Sequence, residues 1–149
     1  MYENMPKVMT DHKTFESVTD LPSYIQTGVR LARNASRLCN SIYCIGACII
    51  QKKSGQYCVG NCTDRTHPLQ KKFAVNQPKK ITLHAEIDAL TKLRTPDPDI
   101  DCMIVVRTLR STGEYGISKP CDICLGAIMN YNVGSIIYFE NKLWNRVYL

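Results

Sequence analysis

Between residues 21 and 38, apolar side chains recur at every third or fourth position: Ile25, Val29, Ala32, Ala35 and Leu38. This spacing places them on one side of an α-helix, so the pattern predicts an amphipathic helix. Asp20 is a candidate N-cap, and Pro22 falls in the first turn, where a missing N–H is tolerated. Residues 1–20 are polar and aperiodic, and we expect them to form a loosely ordered tail.

Short apolar runs bounded by turn residues predict the strands. Runs over residues 42–51 and 56–61 flank the turn-like segment Lys52-Lys53-Ser54-Gly55, which predicts a hairpin. Further strands are predicted over 102–109, 135–140 and 143–148, with helices over 82–93 and 121–131. Only Asn141 and Lys142 separate the last two strands, and a parallel crossover needs a much longer connection. We therefore expect those two strands to be antiparallel.

This alternation of strands and helices after a hairpin predicts the α/β class, with a mixed five-stranded sheet and helices on both faces. A chain of 149 residues is long enough for one substantial core, so we expect residues 21–149 to form a single domain. The polar, basic segment 62–80 is predicted to be a long loop, of the kind that is usually functional or disordered.

Composition adds three expectations. The formal net charge of +6 favours anionic partners such as nucleotides or nucleic acid, although many basic domains bind nothing anionic. No apolar run approaches the roughly 20 residues needed to span a bilayer, so no membrane partner is expected. Eight cysteines without a segment resembling a secretory signal favour reduced thiols or metal ligands, and hence a cytoplasmic location.

Two segments carry the candidate chemistry. Leu83-His84-Ala85-Glu86 opens one predicted helix, and Pro120-Cys121-Asp122-Ile123-Cys124 opens another. A Cys-x-x-Cys at a helix start places both sulfurs on the first turn, where the helix N-terminus favours the thiolate form. With His84 as a third ligand, a zinc ion would keep its fourth position open for water, as in catalytic sites. Glu86 is close enough to exchange protons with that water without being a ligand.

Other interpretations of these motifs exist. A lone Cys-x-x-Cys also occurs in redox pairs and in closed zinc sites, and a lone histidine is usually structural. The combination of His-x-Glu with Pro-Cys-x-x-Cys, each at a helix start, favours a catalytic zinc. The other six cysteines lie at positions 39, 44, 48, 58, 62 and 102, and we expect them to behave as small apolar side chains rather than ligands of a second zinc.

On these motifs the chain resembles the cytidine and deoxycytidylate deaminase superfamily, over roughly residues 21–148. Gly60-Asn61, Thr66-His67-Pro68-Leu69-Gln70 and His84-Ala85-Glu86-Ile87-Asp88-Ala89-Leu90 look especially like segments of small deaminases encoded by bacteriophages. The resemblance implies a three-layer fold and hydrolysis of an exocyclic amine with release of ammonia. It also implies one zinc ion held by His84, Cys121 and Cys124.

The resemblance further implies roles for individual residues. Glu86 matches the proton shuttle, and Asn61 matches an asparagine that contacts the sugar in several families, although asparagine is also common in turns. The backbone amide of Ala85 falls where relatives hold the pyrimidine carbonyl. His67 and Ser118 are two further candidates for substrate binding. Relatives are often homo-oligomers, so self-association is also expected.

The substrate is the part that the sequence leaves open. Superfamily members that act on free nucleosides tend to have antiparallel last strands, as predicted here. The basic residues of the 62–80 segment favour phosphate-bearing substrates instead: Arg65, His67, Lys71, Lys72, Lys79 and Lys80. We expect a cytosine nucleoside or nucleotide. The alternatives are a cytosine or adenine base in single-stranded DNA or RNA, with Phe73, Tyr115 or Trp144 as stacking surfaces, and a non-catalytic nucleotide- or nucleic-acid-binding protein with a structural zinc.

Overall fold

The computed structural model describes residues 11–39, 44–62, 84–93 and 98–149, together with Pro68 and Lys72. In chain order the strands are β1 (Asp11–Phe15), β2 (Cys44–Gln51), β3 (Tyr57–Asn61), β4 (Asp99–Thr108), β5 (Tyr115–Gly116), β6 (Asn132–Glu140) and β7 (Leu143–Tyr148). The helices whose bounds fall within the described residues are α1 (Ser23–Arg37), α2 (Ala85–Thr91) and α3 (Asp122–Met129), and a 3-10 turn spans Val18–Asp20.

The strands form one mixed sheet in the order β1-β7-β6-β4-β2-β3, with β5 paired to β4. The pair β4–β6 is parallel, and its connection carries α3, as a parallel crossover requires. The pairs β2–β3, β2–β4 and β6–β7 are antiparallel. The prediction that the last two strands are antiparallel is thus confirmed. Asn141 and Lys142 both have positive φ values, 56° and 61°, as a two-residue hairpin turn of the type that follows the twist of the strands requires.

Helices cover both faces of the sheet, which confirms the predicted α/β class and its three layers. Residues of α1 pack with one face of the sheet, in a core that includes Ile25, Val29 and Trp144. Residues of α2 and α3 pack on the opposite face, in a second core that includes Ile87 and Ile128. Both helices that begin at the candidate metal ligands therefore lie on the same side of the sheet.

In the described part of the chain the sheet has seven strands rather than the five predicted. One additional strand, β1, lies in the range predicted to be a loose tail, and it pairs antiparallel with β7. Four of its five residues are exposed, so its sequence lacks the apolar alternation by which strands are recognised. The other, β5, has two residues and lies within the predicted polar connection. Residues 1–10 lie outside the described residues.

The beginning of α1 also differs from the prediction. Pro22, not Asp20, occupies the N-cap position. Asp20 instead ends the preceding 3-10 turn, where its carboxylate accepts a hydrogen bond from the backbone N–H of Ser17 at 3.1 Å. Of the segment predicted to be a long loop, only Cys62, Pro68 and Lys72 are described, and the last two are helical. No described helix is long and apolar enough to cross a bilayer.

Candidate zinc site

The three predicted metal ligands come together at the beginnings of two neighbouring helices. His84 is the N-cap of α2, and Cys121 is the N-cap of α3. Cys124 lies on the first turn of α3 and is fully buried, whereas Cys121 is exposed and His84 is half-buried. The site is therefore enclosed on one side by the core and open to solvent on the other.

The distances between the candidate ligand atoms fit a single metal ion. His84 Nδ1 lies 3.2 Å from Cys124 Sγ and 3.5 Å from Cys121 Sγ, and all three atoms lie within 4.8 Å of one another. Nitrogen and sulfur ligands of a tetrahedral zinc lie roughly 3.5 Å apart, given the usual bond lengths. Within the described part of the chain, no other three His, Cys, Asp or Glu side chains are close enough to hold a metal.

The surroundings of the Cys121 and Cys124 thiols shift their pKa values in opposite directions. Hydrogen bonds from the Cys124 thiol and from His84 lower the pKa of Cys121 to about 4, against the opposing effect of burial. Burial is the main reason why the pKa of Cys124 lies well above its usual range. One ligand is thus a thiolate before metal binds, and the other must lose its proton when metal binds.

Glu86 lies on the first turn of α2, beside the three ligands. Its side chain is 4% exposed and lies beside the Cys124 sulfur. Burial raises the pKa of Glu86 from its ordinary value, and the neighbouring Cys121 thiolate raises it further. The carboxyl group is therefore held at the site with an increased affinity for a proton, although it is not one of the three ligands.

The candidate substrate contacts Asn61 and Ala85 lie on elements that touch each other. Asn61 is the last residue of β3 and is half-buried, and Ala85 is the first residue of α2. Between them, Gly60 allows the strand and helix backbones to meet. A Cβ atom at Gly60 would lie 2.5 Å from the carbonyl oxygen of Ala85 and 2.4 Å from the backbone nitrogen of Ala89. Only a residue without a side chain fits there.

Ala85 has a backbone N–H at the very start of α2, and the first N–H groups of a helix have no partner within it. His67 lies outside the described residues. The roles of Asn61, Ala85 and His67 in substrate binding remain predictions.

Ser118, the fourth candidate contact, is 3% exposed and bonds to two strands. Its hydroxyl donates a hydrogen bond to the carbonyl oxygen of Val105 on β4, at 2.7 Å. The same hydroxyl accepts a hydrogen bond from the N–H of Phe139 on β6, at 2.9 Å. Ser118 therefore connects the parallel pair β4–β6 three residues before Cys121, and its only hydroxyl hydrogen is already used.

Replacing Ser118 with Ala is expected to lower the free energy of unfolding by about 1–3 kcal/mol, because the Phe139 N–H and the Val105 carbonyl lose a buried partner. Thermal unfolding and KM should be measured on the same preparation. A loss of stability with KM nearly unchanged would support the structural role. A raised KM with unchanged stability would instead favour the predicted contact with substrate.

The remaining cysteines and the candidate stacking residues differ in burial and in the face of the sheet on which they lie. Of the six other cysteines, Cys39, Cys44, Cys48 and Cys102 are buried, as expected for small apolar side chains, whereas Cys58 and Cys62 are only half-buried. Trp144 is 1% exposed and packs against Tyr115 and Phe139 on the α1 face of the sheet, opposite α2 and α3. Trp144 and Tyr115 are therefore not placed to stack a base at the zinc site, and Phe73 lies outside the described residues.

The sequence matches the cytidine and deoxycytidylate deaminase zinc-binding region over residues 19–140, which is most of the chain. The protein therefore belongs to this family. No curated protein matches the chain. The family and the donor set together identify zinc as the cofactor, held by His84, Cys121 and Cys124. Membership also supports a deaminase activity in general.

Proposed function

We propose that the protein hydrolyses the exocyclic amine of cytosine in a nucleoside or nucleotide, yielding uracil and ammonia. The observation that carries this proposal is the buried carboxyl of Glu86 beside a site that has three protein ligands among the described residues. A closed structural zinc site has four protein ligands, whereas three leave a position for water. A structural site also has no use for a buried carboxyl group that does not bind the metal.

When bound, the zinc ion would lower the pKa of a coordinated water toward about 7 and so make hydroxide available near neutral pH. Glu86 accepts a proton from the attacking water and donates it to the ring nitrogen of cytosine next to the amino-bearing carbon. It then takes the remaining hydroxyl proton and delivers it to the leaving amine. Water has then replaced the amine, and the carboxyl group ends in its initial state.

Burial shifts the pKa of Glu86 upward, which is the direction that favours a carboxyl group that must both accept and donate protons. Solvent enters from the Cys121 side, which is exposed, while the Cys124 side is closed by the core. The backbone N–H of Ala85 is proposed to hold the pyrimidine carbonyl, and Asn61 to contact the sugar.

Two features favour a free nucleoside or nucleotide over a base in a nucleic acid. The hairpin between β6 and β7 is antiparallel with a two-residue turn, the arrangement that nucleoside-specific members of the superfamily tend to have. The aromatic side chains of Tyr115, Phe139 and Trp144 pack in the core on the α1 face of the sheet, opposite the zinc site. Deaminases of single strands usually place aromatic side chains beside the pocket. The resemblance to bacteriophage-encoded enzymes remains a prediction.

A substrate panel tests the proposal. Purified protein is incubated with cytidine, deoxycytidine, their monophosphates, adenosine and single-stranded oligonucleotides that contain cytosine, and the uracil and inosine products are counted. We expect turnover of at least one cytosine nucleoside or nucleotide. Activity on oligonucleotides alone, with affinity that falls steeply as salt is raised, would support the nucleic-acid alternative. Absence of turnover on every compound would contradict a catalytic role.

A further inference from the structure

Strand β3 is at the edge of the described sheet, so one row of its backbone groups has no neighbouring strand. Two side chains, one in α2 and one at its C-cap, bind backbone groups of this strand. The carboxylate of Asp88 accepts a hydrogen bond from the N–H of Asn61 at 3.1 Å. The ammonium group of Lys92 donates a hydrogen bond to the carbonyl oxygen of Val59 at 3.2 Å. The end of the strand is thus attached to the helix at two alternate residues.

Asp88 and Lys92 also bind each other. The ammonium nitrogen of Lys92 lies 3.0 Å from the same carboxylate oxygen of Asp88 that accepts the Asn61 N–H. Asp88 is 8% exposed, whereas Lys92 is about half exposed. A buried carboxylate is costly unless it has partners, so the ion pair and the backbone N–H together account for its place in the core. Both partners fix the orientation of the carboxylate.

Asp88 is also linked to the metal site through its backbone. Its N–H donates a hydrogen bond to the carbonyl oxygen of His84 at 2.9 Å, one helical turn before it. The close contact of Gly60 with the backbone of Ala85 and Ala89 prevents the strand from moving nearer to α2, and the Asp88 bond prevents it from moving away. The position of Asn61 relative to His84 is therefore fixed in both directions.

We propose that Asp88 is a positioning residue that holds the backbone of Asn61 at a set distance from the zinc site and so determines the affinity for the sugar of the substrate. The inference rests on the proposed function, because it takes Asn61 as the sugar contact. Asp88 acts through Asn61 and touches no reacting atom. Its effect should therefore be seen in substrate binding rather than in the chemical step.

The test compares Asp88→Ala with Asp88→Asn, which keeps a side-chain oxygen able to accept the Asn61 N–H. With a cytosine nucleoside, Asp88→Ala should raise KM about tenfold, the size expected for one lost hydrogen bond to substrate, and change kcat less than about threefold. Asp88→Asn should recover most of the affinity. The backbone amide of Asn61 should exchange with solvent at least about tenfold faster in Asp88→Ala than in the wild type.

Two further variants decide between positioning and a general loss of structure. In the double variant Asn61→Ala/Asp88→Ala, KM should equal that of Asn61→Ala alone, because residues acting as a unit are not additive. Asp101→Ala is the matched control. It removes an aspartate near the beginning of β4 that accepts a hydrogen bond from the hydroxyl of Tyr24 at 2.9 Å. That variant should leave KM unchanged.

Wild-type turnover and zinc content are measured first. If the wild type deaminates cytosine nucleosides but the effects of the two substitutions add, or Asp88→Ala lowers kcat with KM unchanged, the inference is wrong and the proposed function stands. If the wild type deaminates no cytosine compound, the proposed function fails and the inference fails with it.

Discussion

Replacing Glu86 with Gln is expected to lower kcat by about 10³- to 10⁴-fold while the protein keeps one zinc ion per chain and a nearly unchanged melting temperature. Glutamine has almost the same shape but cannot accept and return a proton at neutral pH, so the proposed shuttle is lost. General acid and base catalysis typically contributes 10²- to 10⁴-fold, and here one group serves two proton transfers. Turnover by the variant should be measured with zinc content and thermal unfolding on the same sample.

Glu114→Gln is a suitable control, because it makes the same chemical change at an exposed residue of the turn before β5. It should leave kcat, zinc content and stability unchanged. Normal turnover by Glu86→Gln would show that the carboxyl is not the shuttle. Loss of zinc from that variant would show instead that Glu86 is needed to form the metal site.

Replacing Cys124 with Ala is expected to abolish both turnover and stable zinc binding. Loss of a group that merely supports a ligand typically costs 10- to 100-fold in metal affinity, so loss of a ligand should cost at least about 100-fold. Zinc content after dialysis against a weak chelator should fall from one per chain to near zero, and added zinc should no longer raise the melting temperature.

The matched control for this variant is Cys48→Ala. Both cysteines are fully buried, but Cys48 lies in the core on the α1 face and Cys124 in the core on the α2 and α3 face. Cys48→Ala should lose some stability, because a buried sulfur is removed, and should keep its zinc. If Cys124→Ala bound zinc as the wild type does, or Cys48→Ala lost it, the assignment of ligands would be wrong.

The metal ligands could be predicted from the sequence because their arrangement is local. Cys121 and Cys124 share the first turn of one helix, and His84 and Glu86 lie at the start of another, so spacing alone defines each half of the site. Spacing does not show that the two halves form one site, and that prediction depends on the resemblance to a family. The distances between the ligand atoms confirm it.

The main strands could be predicted for a similar reason. Strands β2, β4 and β6 lie in the middle of the sheet and are buried on both faces, so they appear as apolar runs. An edge strand such as β1 has little to bury, and its sequence resembles a polar tail. The sequence therefore does not predict the edge strand β1 or the two-residue strand β5.

The long-range contacts of Asp88 and Ser118 could not be predicted from spacing. Asp88 binds the backbone of a residue 27 positions earlier, and Ser118 binds residues 13 positions before and 21 after it. Such contacts depend on how the strands are ordered in the sheet. The one local sign was the pairing of Asp88 with Lys92 at a spacing of four residues, which is common on exposed helices and does not mark a site.

Because its ligands lie at the beginnings of α2 and α3, a bound zinc ion would also crosslink two parts of the chain that are separated in sequence by β4. His84 and Cys121 are 37 positions apart, and β4 lies between them. A covalent bridge that closed a loop of this length would restrict the unfolded chain by about 4 kcal/mol in a simple chain-entropy treatment. A metal bound only by the folded form acts by mass action instead, so its contribution grows with the supply of free zinc. The fraction of the protein that is folded therefore depends on the concentration of free zinc.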